Sequence, residues 1–412
     1  MRGGPDPAAA PGPQPLGALA KQALCAVMGP SAQQEPIMDP REPAPLELAA
    51  QLIRINSCNP PGGEAAMAAC LAPLLSQAGY ELSTYEFAPG RPSLVARQSW
   101  GPQQPLCFSA HMDTVPLGAE AWRRNPFGGQ VEGGRLHGRG ACDMKGGLAA
   151  MVTAACSLAA LKPRRAGLVL VLSAGEETGC QGAFHLAAQP GALGQAAAVL
   201  VGEPTGNRPL LGHKGALWLR ASFSGRAAHG SMPQLGDNAV LKAARAALAL
   251  SEHDFGLPPH PILGPLTVNV GLLSGGHKVN MVPDQASLAV DLRTLPGLSH
   301  DELAAAVARL LPASRLERLM DAEAIWTEAA DPWAAQVLEI ASGFLGQAPP
   351  PAGAAYFTDG SALQRALGHA PTLLLGPGRP EQAHTADEWC AAAEIGQAVE
   401  MYLAIARAWC GA

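Results

Sequence analysis

Five short segments of this 412-residue chain carry histidine or carboxylate side chains, two with a histidine and all with at least one acid. They are Ser109-Ala110-His111-Met112-Asp113, Gly138-Arg139-Gly140-Ala141-Cys142-Asp143, Ser173-Ala174-Gly175-Glu176-Glu177-Thr178-Gly179, Val201-Gly202-Glu203-Pro204-Thr205 and Ala383-His384-Thr385-Ala386-Asp387-Glu388. Imidazole together with carboxylate suits zinc, cobalt or manganese, and histidine favours zinc over magnesium. One catalytic zinc takes about three protein ligands. His111, Asp143, Glu177, Glu203 and His384 make five, enough for two ions if one carboxylate bridges them. Two ions about 3.5–4 Å apart can clamp a water, lower its pKa and polarise a carbonyl. In the doublet Glu176-Glu177, adjacent side chains diverge. One can therefore bind metal while its neighbour faces the water as a general base.

Taken singly, each residue has an ordinary explanation. Asp143 fits the N-cap of a following Ala-rich helix, Asp113 fits a turn cap, and Glu-Glu pairs are commonly solvated. His185, His253, His260, His300 and His369 are expected to be surface or packing residues. The order of the five segments, each expected after a strand, is what favours a shared site. In open α/β sheets, ligands gather outside the carboxyl ends of strands.

The elements that must position them alternate. Helices are predicted at 46–55, 64–79 and 145–161, and strands at 105–110, 168–173, 197–201 and 372–375. This pattern indicates an α/β fold with a mostly parallel sheet. Between them, strands at 216–223, 266–272, 286–293 and 322–328 and helices at 238–253 and 300–311 give the order β-α-β-β-α-β. That is the ferredoxin-like arrangement, and it looks inserted. The expected organisation is a disordered tail at 1–45, a metal-binding catalytic domain from 46–211 and 329–412, and a lid or dimerisation domain at 212–328.

Composition narrows the functions. With 28 basic and 34 acidic residues and no basic block, neither a nucleic-acid surface nor an anionic-membrane surface is expected. No apolar run approaches the length of a membrane span. Nine cysteines without a C-x-x-C pair argue against a disulfide framework or a cysteine zinc site, and fit a cytoplasmic setting. The mildly apolar stretch 16–28 is interrupted by Lys21 and Gln22, so an export signal is not expected.

The chain resembles the M20-type zinc metallopeptidase and deacylase family that contains acetylornithine deacetylase, succinyl-diaminopimelate desuccinylase, aminoacylase-1 and glutamate carboxypeptidase. The resemblance rests on His111-Met112-Asp113-Thr114-Val115-Pro116, the run Trp122 to Gly140, Asp143-Met144-Lys145-Gly146-Gly147, Glu176-Glu177-Thr178-Gly179, Gly202-Glu203-Pro204-Thr205 and Ala383-His384-Thr385, in family order from about residue 46 onward. It implies that Asp143 bridges, that His111 and Glu203 complete one zinc, and that Glu177 and His384 complete the other. It implies Glu176 as general base and Asp113 as the acceptor of an N–H from His111. It also implies that His229, in Gly225-Arg226-Ala227-Ala228-His229-Gly230-Ser231, reaches the partner subunit's site and steadies an oxyanion. Asn280 and Arg293 would bind a substrate carboxylate. Thr358-Asp359-Gly360 and Gly376-Pro377-Gly378 would shape the pocket wall. Gly360 stands where relatives often carry Ala, and Cys180 follows the Glu-Glu-Thr-Gly motif.

The function so implied is a two-zinc amidohydrolase acting on N-acyl amino acids, with cobalt or manganese as possible substitutes and a homodimer formed through the lid. The enzymatic alternative is a glutamate carboxypeptidase or dipeptidase. Two rivals of other kinds are a metal-binding protein without turnover and a cysteine hydrolase built on Cys142 or Cys180.

Overall fold

The computed structural model describes residues 44–412, so the tail expected at 1–45 lies almost wholly outside the described residues. The chain forms two compact units. One runs from the start of the described chain to Ala197 and resumes at Pro377–Ala412; the other is Ala198–Gly376.

The first unit opens with helices α1 (Pro45–Arg54) and α2 (Glu64–Gln77). Strands β1 (Glu81–Glu86), β2 (Pro92–Gln98) and β3 (Gln103–His111) follow, then the short β4 (Gln130–Glu132) and β5 (Arg135–His137). Next come α3 (Lys145–Ala160), β6 (Ala166–Ser173) and α4 (Gln181–Ala188). β1 pairs antiparallel with β2, β2 antiparallel with β6, and β6 parallel with β3. Every residue of β6 is buried. Its unbroken run Leu168-Val169-Leu170-Val171-Leu172 is what a strand covered on both faces requires. Helix α3 is buried nearly all round, because its alanines and glycines let neighbouring elements approach closely.

The second unit begins with β7 (Ala198–Val201), β8 (Gly212–His213) and β9 (Gly215–Ser224). Then come α5 (Ala239–Glu252), β10 (Thr267–Gly275), β11 (Gln285–Thr294), α6 (His300–Leu310) and β12 (Ser314–Ala322). β13 (Ile325–Trp326), α7 (Pro332–Leu345), α8 (Gly360–Ala366) and β14 (Thr372–Leu374) complete it. β14 runs parallel to β7. A separate antiparallel sheet has the order β10-β11-β9-β12. β9 and β11 alternate buried and accessible residues. Their buried faces place Leu217, Leu219, Leu288 and Val290 against Ala243 and Leu250 of α5 and Leu303 and Val307 of α6. Asn238 caps α5 by accepting from Leu241 N, and Ser299 caps α6 by accepting from Glu302 N. The chain then returns to the first unit for β15 (Trp389–Ala391), which pairs with β5, and the long α9 (Ala392–Cys410).

The expected α/β class is therefore what the chain adopts, with inner strands in parallel and an antiparallel hairpin edge. One expected strand moves. The last strand of the β-α-β-β-α-β run is Ser314–Ala322 rather than 322–328. Arg315, Glu317, Arg318 and Asp321 disguise it, and it is an edge strand with a register shift between Arg318 and Met320.

Truncating the centre of β6 tests this packing. Leu170→Ala, at a fully buried position, is expected to cost about 2–5 kcal/mol, seen as a lower denaturant midpoint. A cost near zero would mean that β6 is not a packed central strand.

Candidate metal centre

Parallel pairing aligns the ends of β3 and β6. His111, the last residue of β3, stands in register with Ser173, the last of β6. The turn that follows β6 therefore brings Glu176 and Glu177 to the edge where His111 emerges. Asp143 arrives differently from what the sequence suggested. It lies on the loop between β5 and α3, and β5 belongs to a small separate sheet with β4 and β15. Asp143 does not cap α3, whose N-cap is Met144 without a side-chain bond. His384 sits in a turn before β15 with a left-handed φ of 64°, a strained conformation of the kind found at functional sites.

These residues converge on one carboxylate. Asp143 Oδ1 is 3.0 Å from His111 Nε2, and Asp143 Oδ2 is 3.2 Å from His384 Nε2. His384 Nε2 is also 3.1 Å from Glu177 Oε2. His111, Asp143 and Glu177 offer ligand atoms within 4.8 Å of one another. His111 Nδ1 lies 3.0 Å from the carbonyl oxygen of Asp113. A carbonyl only accepts, so Nδ1 bears the proton. Nε2 faces Asp143 Oδ1, as a lone pair in the neutral ring and as an N–H donor when a second proton is present. With the neutral ring the contact is repulsive until a cation or that second proton lies between them, and it is what a metal-binding imidazole presents.

Asp113 accepts the Nδ1–H of His111 through its main-chain carbonyl. The carboxylate is 3.7 Å from Nδ1. It accepts instead from Glu176 N at 3.0 Å, Glu177 N at 3.2 Å and the Asn59 amide at 2.8 Å. It thereby sets the path of the Glu-Glu turn. Glu64, fully buried at the start of α2, accepts from Gly175 N at 3.1 Å and pairs with Arg91. Asn59, Glu64 and the Arg139–Glu388 pair were not assigned a role from the sequence. A buried acid at the start of a helix reads like an ordinary first-turn charge, and its burial is visible only in the fold.

Electrostatics follow the geometry. Burial pushes Asp143 up, but the bonds to His111 and His384 outweigh it and hold the carboxyl below the usual range. Burial, reinforced by the Asp143 charge, pushes Glu177 up. Bonds to Asp143 and Glu177 raise His384 to about 10. In the absence of a bound ion, the proton on His384 supplies the positive charge that the two carboxylates need. Cys142 is buried and its thiol is pushed well up, chiefly by burial, the reverse of what a nucleophilic thiolate requires. Cys180 is also buried and donates its thiol to Glu176 Oε1 at 3.6 Å.

The remaining candidates belong to the second unit. Glu203 is buried two residues past β7, on a turn braced by Thr205 N donating to Gly376 O at 3.1 Å. His229 and Asn280 are both exposed and lie on adjoining loops, where Gly230 N donates to Asn280 O at 2.8 Å. Ser231 N donates to His229 Nδ1 at 3.2 Å, which leaves Nε2 as the donor of a neutral ring. Arg293 lies near the other end of β11, roughly 26 Å from Gln285 at the strand rise of about 3.3 Å. Its Nε bonds Asp291 at 3.0 Å and its guanidinium covers the Phe357 ring. The Thr358 hydroxyl meets His213 Nε2 at 3.1 Å and accepts from Gly360 N at 3.0 Å. A Cβ on Gly360 would come within 2.9 Å of Ile325 Cδ1, so alanine there needs Ile325 to shift.

Comparison with known proteins places this arrangement. The profile of peptidase family M20/M25/M40 matches residues 107–408. The chain belongs to this family. As an M20 member it is a hydrolase of amide bonds. It is 28% identical to an acetylornithine deacetylase of Vibrio atlanticus over 357 residues, covering 82% of this chain and 90% of that protein. It is 28% identical to a probable succinyl-diaminopimelate desuccinylase of Staphylococcus aureus over 324 residues, 70% of this chain and 81% of the relative. The M20 metallo-carboxypeptidase Sso-CP2 of Sulfolobus solfataricus shares the fold, with a TM-score of 0.72 at 18% identity over 88% of this chain and 98% of that one. So does the YXEP protein of Bacillus subtilis, a dinuclear metal-binding M20 peptidase, with a TM-score of 0.66 at 14% identity over 89% and 98%.

The raised His384 pKa has a testable sign. A folded pKa of about 10 against 6.5 for the free side chain means that protonated His384 adds stability fully below about pH 6.5 and loses it as pH rises through about 10. In protein stripped of divalent ions, His384→Ala should be less stable than wild type at pH 6, with the difference shrinking toward pH 10. A gap in melting temperature that does not change with pH would contradict the contact.

Proposed function

We propose that this chain is a two-zinc amidohydrolase that deacylates N-acyl amino acids, in the manner of the acetylornithine deacetylases and succinyl-diaminopimelate desuccinylases it is similar to. The observation that supports it most is Asp143, whose two oxygens each face a histidine Nε2. His111, Asp143, Glu177 and His384 would hold the ions, and Glu203 is the fifth ligand that the family resemblance implies. The donors are imidazole nitrogen and carboxylate oxygen only, which suits zinc, with cobalt or manganese as substitutes. Bound there, the ions supply polarisation of the scissile carbonyl and a water acidified to near-neutral pKa.

The chain's own groups do the rest. Glu176, beside the ligand Glu177 and held by its backbone to Asp113, takes the proton of the attacking water and passes it to the leaving amine. The products are a free carboxylate and an amino acid. Arg293 meets the substrate carboxylate through the end of its guanidinium, with Nε held by Asp291. His229 donates Nε2–H to the developing oxyanion.

Residues 212–328 serve as a ferredoxin-like lid and dimerisation domain inserted into a catalytic domain of residues 46–211 and 329–412. β11 spans roughly 26 Å from Gln285 to Arg293, and the His229 and Asn280 loops follow from its Gln285 end. This supports a homodimer in which His229 and Asn280 act on the partner subunit's site. A cytoplasmic setting and no nucleic-acid or membrane partner complete the proposal. Among the described residues, no helix is long and apolar enough to cross a membrane.

Three experiments test it. A panel of N-acetyl, N-succinyl and N-formyl amino acids and dipeptides, assayed with zinc or cobalt and with a chelator, should show metal-dependent amine release. Glu176→Gln should lower kcat by about 10²–10⁴-fold while bound metal is retained. Release from none of the panel, or an unimpaired Glu176→Gln enzyme, would overturn the proposal. Mixing inactive Glu176→Gln and His229→Ala dimers under subunit exchange should restore roughly a quarter of the wild-type rate, since half the dimers are mixed and each has one intact site. No recovery would place His229 in its own subunit's chemistry or outside it.

A further inference from the structure

Glu388 is a buried acid that the proposed mechanism does not use. Its side chain and that of Arg139 are each 1% exposed, and they pair at 2.7 Å. The carboxylate does more than neutralise the arginine. Oε2 accepts from Gly140 N at 2.9 Å, and Oε1 accepts from Cys142 N at 2.8 Å and Asp143 N at 3.0 Å. The loop carrying Asp143 is wrapped around this one side chain, with three backbone N–H groups and a guanidinium aimed inward. That is an anion-binding nest filled by the protein itself.

Glu388 also lies four residues after His384. The segment between them is tight, with left-handed φ at His384 (64°) and Asp387 (54°). Asp387 is tied to the backbone N–H groups of Arg123 and Arg124 at 2.9 and 3.2 Å. Arg139 completes the frame by donating to Thr385 O at 3.2 Å and Pro116 O at 3.1 Å. Gly138 N donates to Glu388 O at 3.0 Å, where β5 and β15 begin to pair. One short segment thus has the imidazole of His384 at one end and, at the other, the grip on the backbone of Asp143.

We propose that Glu388, held by Arg139, is a positioning residue that fixes the distance between Asp143 and His384 and thereby sets the affinity of the metal pair. The inference rests on the proposed metal site. A charged carboxylate is required, because an amide would turn one NH₂ toward inward-pointing N–H donors and leave the guanidinium without its counter-charge. Asp143 would then lose the backbone anchor that presents one oxygen to each histidine.

The test compares wild type, Glu388→Gln and Arg139→Lys, each stripped of metal and titrated with zinc against a chromophoric chelator. The visible spectrum of the cobalt-loaded protein and the melting temperature of the metal-free protein are recorded for each. Glu388→Gln is expected to bind zinc about 10–100-fold more weakly and to show an altered cobalt spectrum. The metal-free protein should keep its far-ultraviolet circular dichroism. Wild-type zinc affinity and an unchanged cobalt spectrum in folded Glu388→Gln would overturn the inference. Should that variant fail to fold, Arg139→Lys decides: it keeps the charge but not the fan of donors, so weaker zinc binding supports the inference and unchanged binding overturns it. A wild-type protein that binds no zinc or cobalt would instead sink the metal site itself, and this inference with it.

Discussion

The structure depends on one electrostatic constraint: two carboxylates, Asp143 and Glu177, are held together in a largely buried place with imidazoles directed at them. Like charges at this range oppose one another, and low polarity around them magnifies the cost. The arrangement persists only with positive charge in its midst. His384 supplies it as a proton when no ion is present. His111 keeps its Nδ1–H on Asp113 O, which turns Nε2 toward Asp143 for a proton or a cation. The two histidines are thus held differently, His111 fixed in orientation by a main-chain carbonyl and His384 placed between two carboxylates.

Such a cluster cannot be held by side chains alone, and the protein meets the need with the same device at several places. A carboxylate accepts backbone N–H groups of a loop and leaves the loop's own side chains available. Asp113 grips Glu176 and Glu177, Glu64 grips Gly175, Glu388 grips Gly140, Cys142 and Asp143, and Asp387 grips Arg123 and Arg124. Irregular loops near a buried site have donors that no helix or sheet satisfies. Charged acceptors satisfy them with stronger bonds than neutral ones would. The ligand-bearing loops are therefore ordered without being secondary structure.

Strand pairing supplies the coarser order. The register of β3 against β6 sends His111 and the Glu-Glu turn out at one edge. In the second unit Arg293 stands near one end of β11, and the loops of His229 and Asn280 follow from the other. A rigid, well-packed sheet holds those two ends apart, since its inner face is filled by Leu288, Val290 and their neighbours. Distances set by strands vary little, which suits groups whose work depends on where they stand.

Much of this was legible in the residues. The unbroken apolar run of β6, the alternation of β9 and β11 and the Ala-rich α3 gave the α/β class and its elements, because burial on two faces, one face or all round leaves different periods in a sequence. The order of the histidine and acidic motifs gave the cluster of His111, Asp143, Glu177 and His384. Other features were not legible. β12 is an edge strand whose charges mask its alternation. The loop path of Asp143 follows from β5, a strand of three residues that leaves no periodic trace. The hold of the Asp113 carboxylate on the Glu-Glu turn, and the burial of Glu64, Arg139 and Glu388, come from contacts across 27 to 249 positions of chain. Residue types set which atoms are able to bind a cation or a backbone N–H. Which of them share one carboxylate, and which are turned inward to hold the others, is decided only when distant segments pack, because hydrogen bonds and charge pairs act over a few ångströms of space whatever the separation in sequence.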